Sequence, residues 1–389
     1  MILTHGAVRF LRQTGKMAGI GIVVAALALG TWLAMGAVRG DGHSVRAGSS
    51  PLLIYSEFGR NSDTIWAAQA DDPTHRTRLT SVDHAPEYGI VASLSPDGEH
   101  IAYNVLPPAG PAAIDGPAEL WVMDRNGDNQ SRLALNVDLP VAPIWSPSGS
   151  AIIFRRSASD DSGGQFQLVR VTTSGTETVL VDTPDGLMPV GFTPGGSLYF
   201  ASLSTAGTDL GVVYSSGGVI FGVAHLSDDF ARDWHLSPDG SRLAYLSPQQ
   251  NADGISYGAV VLNLKVTAAS VFRSMAIQSN QGDEFNPIWR PDGKSITVGR
   301  IQPQPQLGQS MFKMMGAGTI ESVPTLPQGF DVPLVWSPDA GFLAVRFYES
   351  QSITDPGRSW VTVVGSDGSR RTVSPNSDVE VMGWVDSGG

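Results

Sequence analysis

Leu94-Ser95-Pro96-Asp97-Gly98 recurs along the chain as Trp145-Ser146-Pro147-Ser148-Gly149, Phe192-Thr193-Pro194-Gly195-Gly196, Leu236-Ser237-Pro238-Asp239-Gly240, Trp289-Arg290-Pro291-Asp292-Gly293 and Trp336-Ser337-Pro338-Asp339-Ala340. A worn seventh copy stands at Trp384-Val385-Asp386-Ser387-Gly388. From landmark to landmark the steps are 51, 47, 44, 53, 47 and 48 residues. The proline presets φ, the aspartate accepts local backbone hydrogen bonds and the glycine takes the positive-φ position, so each copy is a turn between antiparallel strands. A strand-turn-strand unit repeated at a period of about fifty residues is the signature of a β-propeller blade.

The rest of each repeat supplies the other strands. Apolar triplets follow the landmarks at Ile101-Ala102-Tyr103, Ile152-Ile153-Phe154, Leu198-Tyr199-Phe200, Leu243-Ala244-Tyr245, Ile296-Thr297-Val298 and Leu343-Ala344-Val345. A third strand, as in Leu120-Trp121-Val122-Met123 or Trp360-Val361-Thr362-Val363, ends at a tight turn such as Asn126-Gly127 or Asp367-Gly368, after which a short fourth strand returns. The first repeat begins at its second strand, Leu52-Leu53-Ile54-Tyr55, and lacks an innermost one, whereas Val379 to Trp384 is an innermost strand with nothing after it. The expected fold class is therefore all-β: a seven-bladed β-propeller of four-stranded blades, its ring closed by the C-terminal strand so that no edge is left to aggregate.

Pro-x-Trp-Ser-Pro-Asp-Gly, then Ile-Ala-Tyr, then Leu-Trp-Val-Met-Asp-x-x-Gly resembles the propeller repeat of the TolB family, a WD-repeat-like pattern, over about residues 51–389. The resemblance implies a propeller without implying an activity, because similar blades serve periplasmic scaffolds and the gating propellers of dipeptidyl peptidases and tricorn-like proteases. TolB carries an α/β domain before a six-bladed ring; here too few residues precede the first blade for such a domain, so TolB's partners are not carried over.

The first fifty residues differ in kind. Residues 1–16 form a short tail expected in the cytoplasm, residues 17–38 an uncharged stretch long enough for one transmembrane helix, residues 39–50 a Gly/Ser-containing linker, and residues 51–389 the propeller. Arg9, Arg12 and Lys16 precede the apolar stretch, which by the positive-inside rule places the ring in the periplasm or outside the cell, anchored to the cell membrane by a single pass. A cleaved signal peptide is the competing reading, with Ala34-Met35-Gly36 at a suitable place, although the apolar run exceeds the usual length of such a region. The absence of cysteine excludes disulfides and lipoprotein attachment.

Five of the 25 Lys/Arg and one of the 37 Asp/Glu fall within residues 1–50, which leaves the ring a net charge of about −16. Nucleic acid and anionic headgroups are poor partners for such a surface. The 45 Gly and 26 Pro suit a turn-dense all-β chain.

Strand order puts the Ser-Pro-Asp-Gly turns and the third-to-fourth-strand turns on one tight face. The opposite face carries the longer loops, Leu106–Ala118, Ser157–Gly164, Ser202–Asp209, Pro248–Ser256, Gln302–Gln309 and Glu349–Arg358, where binding is expected. Each innermost strand is preceded by an acid: Glu87, Asp138, Asp185 and Asp229 seven residues before their landmarks, Asp283, Asp331 and Asp378 five or six before theirs. Such a ring of carboxylates would draw a divalent cation or a basic peptide to the axis, and His84 and His235 lie near enough in sequence to join it. The plainer reading is that aspartate suits loops and strand starts. Asp124-Arg125-Asn126-Gly127-Asp128 lacks the later residues of a calcium loop and reads as a hairpin turn. No Gly-x-Ser-x-Gly elbow, phosphate loop or dinucleotide fingerprint occurs. The repeated tryptophans read as packing between blades.

No cofactor is expected beyond that candidate cation. The leading expectation is a non-enzymatic, membrane-anchored scaffold that binds an envelope protein or surface ligand through the long-loop face. The alternative is a metal-assisted lyase or lactonase acting on carbohydrate at the axis.

Overall fold

The computed structural model describes residues 50–108, 118–160, 163–251, 254–264, 274–276, 283–301, 309–314, 320–323, 329–349, 357–374 and 378–386. The apolar stretch at 17–38 and most of the linker lie outside the described residues, as do most of the Leu106–Ala118, Gln302–Gln309 and Glu349–Arg358 loops. No helix among the described residues is long and apolar enough to cross a membrane.

The strands that the apolar triplets build are β1 (Leu52–Glu57), β2 (Ser62–Gln69) and β3 (Arg76–Asp83) in blade 1, then β4 (Val91–Leu94), β5 (His100–Val105), β6 (Ala118–Asp124) and β7 (Ser131–Val137) in blade 2. Blade 3 holds β8 (Ile144–Trp145), β9 (Ala151–Asp160), β10 (Gly163–Thr172) and β11 (Glu177–Thr183), and blade 4 holds β12 (Gly186–Phe192), β13 (Leu198–Ser204), β14 (Gly207–Val213) and β15 (Val219–Ser227). Blade 5 is β16 (Arg232–Leu236), β17 (Arg242–Asn251), β18 (Gly254–Asn263) and β19 (Ser274–Ala276), and blade 6 is β20 (Asp283–Trp289), β21 (Ser295–Ile301), β22 (Gln309–Met314) and β23 (Ile320–Val323). Blade 7 is β24 (Phe330–Trp336), β25 (Phe342–Tyr348), β26 (Ser359–Gly365) and β27 (Arg370–Thr372), and the last strand, β28 (Val379–Val385), returns to blade 1.

All seven sheets are antiparallel and four-stranded, and blade 1 runs β28-β1-β2-β3. The C-terminal strand pairs with β1 from Leu52 opposite Val385 to Glu57 opposite Val379. Inner strands meet their neighbours all the way round, β28 with β4, β4 with β8, β12 with β16, then β16, β20, β24 and β28 in turn, with β9 of blade 3 against β12. The ring is thus a closed propeller.

The repeated turn does what its residues dictate. Ser95 Oγ donates to Asp97 Oδ1 at 2.5 Å, the Glu99 N–H donates to the same oxygen at 3.0 Å, and the His100 N–H donates to Ser95 Oγ at 2.9 Å. Ser237, Asp239 and Arg242 repeat the pattern, as do Ser337, Asp339 and Phe342. These aspartates are consumed by the turn. The Asp124 segment is likewise a hairpin turn, with the Gly127 N–H donating to the Asp124 carbonyl at 2.8 Å.

Each landmark tryptophan staples its inner strand to the blade before it. Trp145 Nε1 donates to the Ser93 carbonyl at 3.3 Å, Trp289 to the His235 carbonyl at 2.9 Å, Trp336 to Thr297 Oγ1 at 3.0 Å and Trp384 to the Val335 carbonyl at 3.3 Å. Their rings are covered by His100, Arg242, Arg290 and Phe342 respectively, each from the preceding blade. A buried indole with its N–H satisfied contributes area and direction together.

Three of the expected long loops are strand instead. Ser157–Gly164 belongs to a ladder that runs to Asp160 opposite Gly163, Ser202–Asp209 closes at Ser204 opposite Gly207, and Pro248–Ser256 belongs to a ladder that runs to Asn251 opposite Gly254. Their place between the second and third strands had suggested loop, but the two strands stay in register to a short turn, and that pairing satisfies the backbone groups.

Candidate functional site

The expected acids do not form one cluster. Asp138 receives the Arg155 guanidinium, Ser157 Oγ at 2.6 Å and the Ser157 N–H at 3.1 Å. Asp331 is buried and clasped by Arg370 through two hydrogen bonds of 2.6 and 2.9 Å. Glu87 pairs with Arg60 at 3.1 Å, Asp283 accepts the Tyr257 N–H at 3.0 Å, and Asp229 accepts the Phe230 N–H at 2.9 Å. The Asp185 N–H bonds Thr183 Oγ1 at 3.3 Å, and the Asp378 carbonyl accepts the Phe58 N–H at 2.9 Å. Among the described residues no three His, Asp or Glu side chains converge to hold a metal ion.

The two histidines are both buried and sit in separate parts of the ring, with opposite chemistry. His84, in the crossing from blade 1 to blade 2, donates through Nδ1 to the Ala85 carbonyl at 2.8 Å and through Nε2 to Asp63 at 3.1 Å. Both ring nitrogens face acceptors, so the imidazolium is the species that fits; burial opposes the charge, and the bonds to Asp63 and Ala85 outweigh it and raise the pKa. Asp63 also accepts the N–H groups of Gly59 and Ile90, at 3.2 and 2.9 Å, which fixes the pair at the edge of blade 1.

His235, on the inner strand of blade 5, donates through Nε2 to Asn286 Oδ1 at 2.7 Å, and Asn286 Nδ2 donates to the Pro333 carbonyl at 2.6 Å. This chain of two bonds ties the inner strands of blades 5, 6 and 7. Nδ1 of His235 is buried without a hydrogen-bond partner, which is tolerable only for the neutral ring, and burial depresses the pKa despite the bond to Asn286. Asn286 has φ 39° and Asp233 φ 56°, each at a break in the register of its inner strand.

A pattern that was not anticipated lies at the second residue of the inner strands, where blades 5, 6, 7 and 1 carry Asp233, Glu284, Asp331 and Glu380. Each meets an arginine: Asp233 with Arg232 at 3.4 Å, Glu284 with Arg300 at 2.9 Å, Asp331 with Arg370 at 2.6 Å, and Glu380 with Arg346 at 3.8 Å. Glu284 is fully buried and its second oxygen accepts the Ala259 N–H at 2.7 Å. With Asp138–Arg155 at the entry to blade 3 and Glu87–Arg60 at the entry to blade 2, six blades carry an acid–arginine pair near the start of the inner strand. Glu380 is the loosest of them. Its side chain is 46% accessible, and Arg346 stands 3.8 Å away.

Only Asp331 of these four was among the expected acids. The signal available in the sequence was an acid directly after the first residue of four inner strands, but its meaning depends on arginines that, apart from Arg232, arrive from other strands.

No protein-family profile matches the chain, and no curated protein does. Solved structures do. A prolyl endopeptidase superposes with a TM-score of 0.59 at 13% identity over 97% of this chain and 54% of its own. An oligogalacturonate lyase in complex with manganese gives 0.53 at 12% identity, over 84% of this chain and 86% of its own. TolB from Acinetobacter baumannii gives 0.46 at 14% identity, over 84% and 80%. The likeness is one of fold. This chain spans about half the length of the prolyl endopeptidase, and its likeness to that enzyme and to the lyase reaches the fold and no further.

Proposed function

We propose that the protein is a non-enzymatic propeller scaffold, held to a membrane through residues 17–38 with the ring on the extracytoplasmic side, and that it binds an envelope protein or surface ligand through the face carrying the second-to-third-strand hairpins. The observation that carries this reading is the pairing of the axial acids with arginines. Asp138, Glu284 and Asp331 spend their charge inside the blades, so a metal-assisted lyase or lactonase would have to break Arg155, Arg300 or Arg370 away to recruit them. The tight-turn aspartates are equally occupied, and what remains to vary between such rings is the opposite face, where the β9–β10 and β17–β18 ladders extend and the β13–β14 turn exposes Thr205 and Ala206.

The test is recovery of a partner from solubilised membranes with the full chain, confirmed with the two proteins purified separately. Binding is expected to fall at least tenfold in Thr205→Arg/Ala206→Arg, at the tip of the β13–β14 hairpin, and to survive Ser148→Arg on the tight-turn face. Equal loss from both, or from neither, overturns the assignment of the face.

A further inference from the structure

Between Asp209 and His225 lie fifteen uncharged residues, Leu210 to Ala224, in a ring that is otherwise strongly acidic. They form most of β14, the turn after it and the first half of β15. Residues 214–222 are exposed without interruption, and they include Tyr214, Val219, Ile220 and Phe221, which are 44%, 37%, 47% and 49% accessible. Gly217, Gly218 and Gly222 have positive φ and open space where a Cβ would stand, so this tip projects clear of the body. Phe221 is braced from below by an edge-on contact with the buried ring of Phe200, 5.3 Å between centroids.

The position of this tip decides its occupant. It is a third-to-fourth-strand turn and therefore lies on the same face as the Ser-Pro-Asp-Gly turns. The chain enters the ring on that face too: Leu52 opens β1 opposite Val385, and the site of a Cβ on Gly98, in the blade 2 turn, lies 2.7 Å from Val385 Cγ1. Upstream of Leu52 are 51 residues that include the uncharged stretch Met17 to Val38.

We propose that the Tyr214–Phe221 tip of blade 4 is a lipid-facing wedge that seats the tight-turn face on a bilayer. The inference rests on the membrane-tether reading given above and extends it: a ring tethered at its tight face turns that face to the lipid, and among the described residues that face carries this projecting, uncharged, aromatic-bearing tip. Tyrosine and phenylalanine beside flexible glycines suit the headgroup boundary, and one apolar tip supplements an anchor rather than replacing it. The surrounding negative charge selects zwitterionic over anionic lipid. With the tip in lipid, the hairpin face points away from the membrane toward its partner.

The absence of cysteine makes the test direct. Single variants Val219→Cys, Ile220→Cys and Ala206→Cys of the full chain are labelled with an environment-sensitive fluorophore and reconstituted in phosphatidylcholine vesicles carrying spin-labelled lipid. The expected result is flotation of all three, with blue-shifted and lipid-quenched emission at 219 and 220 and water-like emission at 206. Flotation with water-like emission at 219 and 220 overturns the wedge and leaves the tether standing. A concentration-dependent blue shift without lipid quenching also overturns it, assigning the tip to a second copy of the chain. Failure of the chain to float overturns tether and wedge together. Because Val219 and Ile220 are exposed, melting temperatures equal to the parent's within error are expected and establish that the variants fold.

Discussion

The Arg346 guanidinium, on the second strand of blade 7, donates to the main-chain carbonyl of Val379, the first residue of the closing strand. Asn104 and Arg155 stand at the equivalent place in blades 2 and 3, one residue past the apolar triplet, and reach the Val141 and Leu187 carbonyls of the blades that follow, at 2.7 and 3.1 Å. What is an ordinary inter-blade bond elsewhere is, at Arg346, the bond that helps to close the ring.

Arg346→Met is therefore expected to cost about 1.5–3 kcal/mol, the range for a hydrogen bond from a charged group. Chemical denaturation measures the loss, and limited proteolysis should show the C-terminal strand cut first. Removal of residues 378–389 should go further, exposing the edge of β1 and giving aggregation, which light scattering reads.

Ala340 occupies the turn position that glycine holds at Gly98, Gly240 and Gly293, and has φ 57° where those have 73°, 65° and 65°. Ala340→Gly should stabilise the chain by about 0.5–1 kcal/mol, the left-handed penalty for a side chain less the entropy glycine loses on folding. The converse, Gly240→Ala, should destabilise it by more, because its Cβ would come 2.8 Å from Pro194 Cδ as well as adopting a strained backbone. Thermal melts of the two variants should move in opposite directions.

The two buried histidines should tilt the pH dependence of stability in opposite senses. His84 binds its proton more tightly folded than unfolded, so its contribution is complete below about pH 6.5, the unfolded value, and is lost as pH rises through the raised folded pKa. His235 binds it less tightly, so its contribution is complete above about pH 6.5 and is lost as pH falls through the depressed folded pKa. The penalty of His84→Gln relative to the parent should shrink with rising pH above neutrality, and that of His235→Gln should shrink with falling pH below about 6. Melting curves across this range check both slopes.

The blades were legible because their signals are local. Pro96, Asp97 and Gly98 specify a turn within five residues, and the triplets that follow are short apolar runs at a nearly constant distance from it, so count, order and even the missing inner strand of blade 1 could be read from spacing. The axial acids were legible as residues and not as chemistry. Asp331 meets Arg370 across 39 positions and Glu380 meets Arg346 across 34; nothing in the spacing announces which arginine a register will bring alongside. Asn286 was missed for the same reason, since its role depends on His235 and Pro333 from two other blades. His84 and His235 were singled out as a pair, yet only the three-dimensional partners show that one is held charged and the other neutral.

The central claim is that the acids at the axis are structural. Calorimetric titration of the full-length chain with Mn²⁺, together with elemental analysis and melting of the parent and Asp331→Asn, tests it most directly. The account predicts no bound metal and no Mn²⁺ binding that depends on Asp331, while Asp331→Asn loses about 3–5 kcal/mol of stability because Arg370 is left with a broken buried pair. Stoichiometric Mn²⁺ binding by the parent, abolished in Asp331→Asn without a comparable loss of stability, would contradict it.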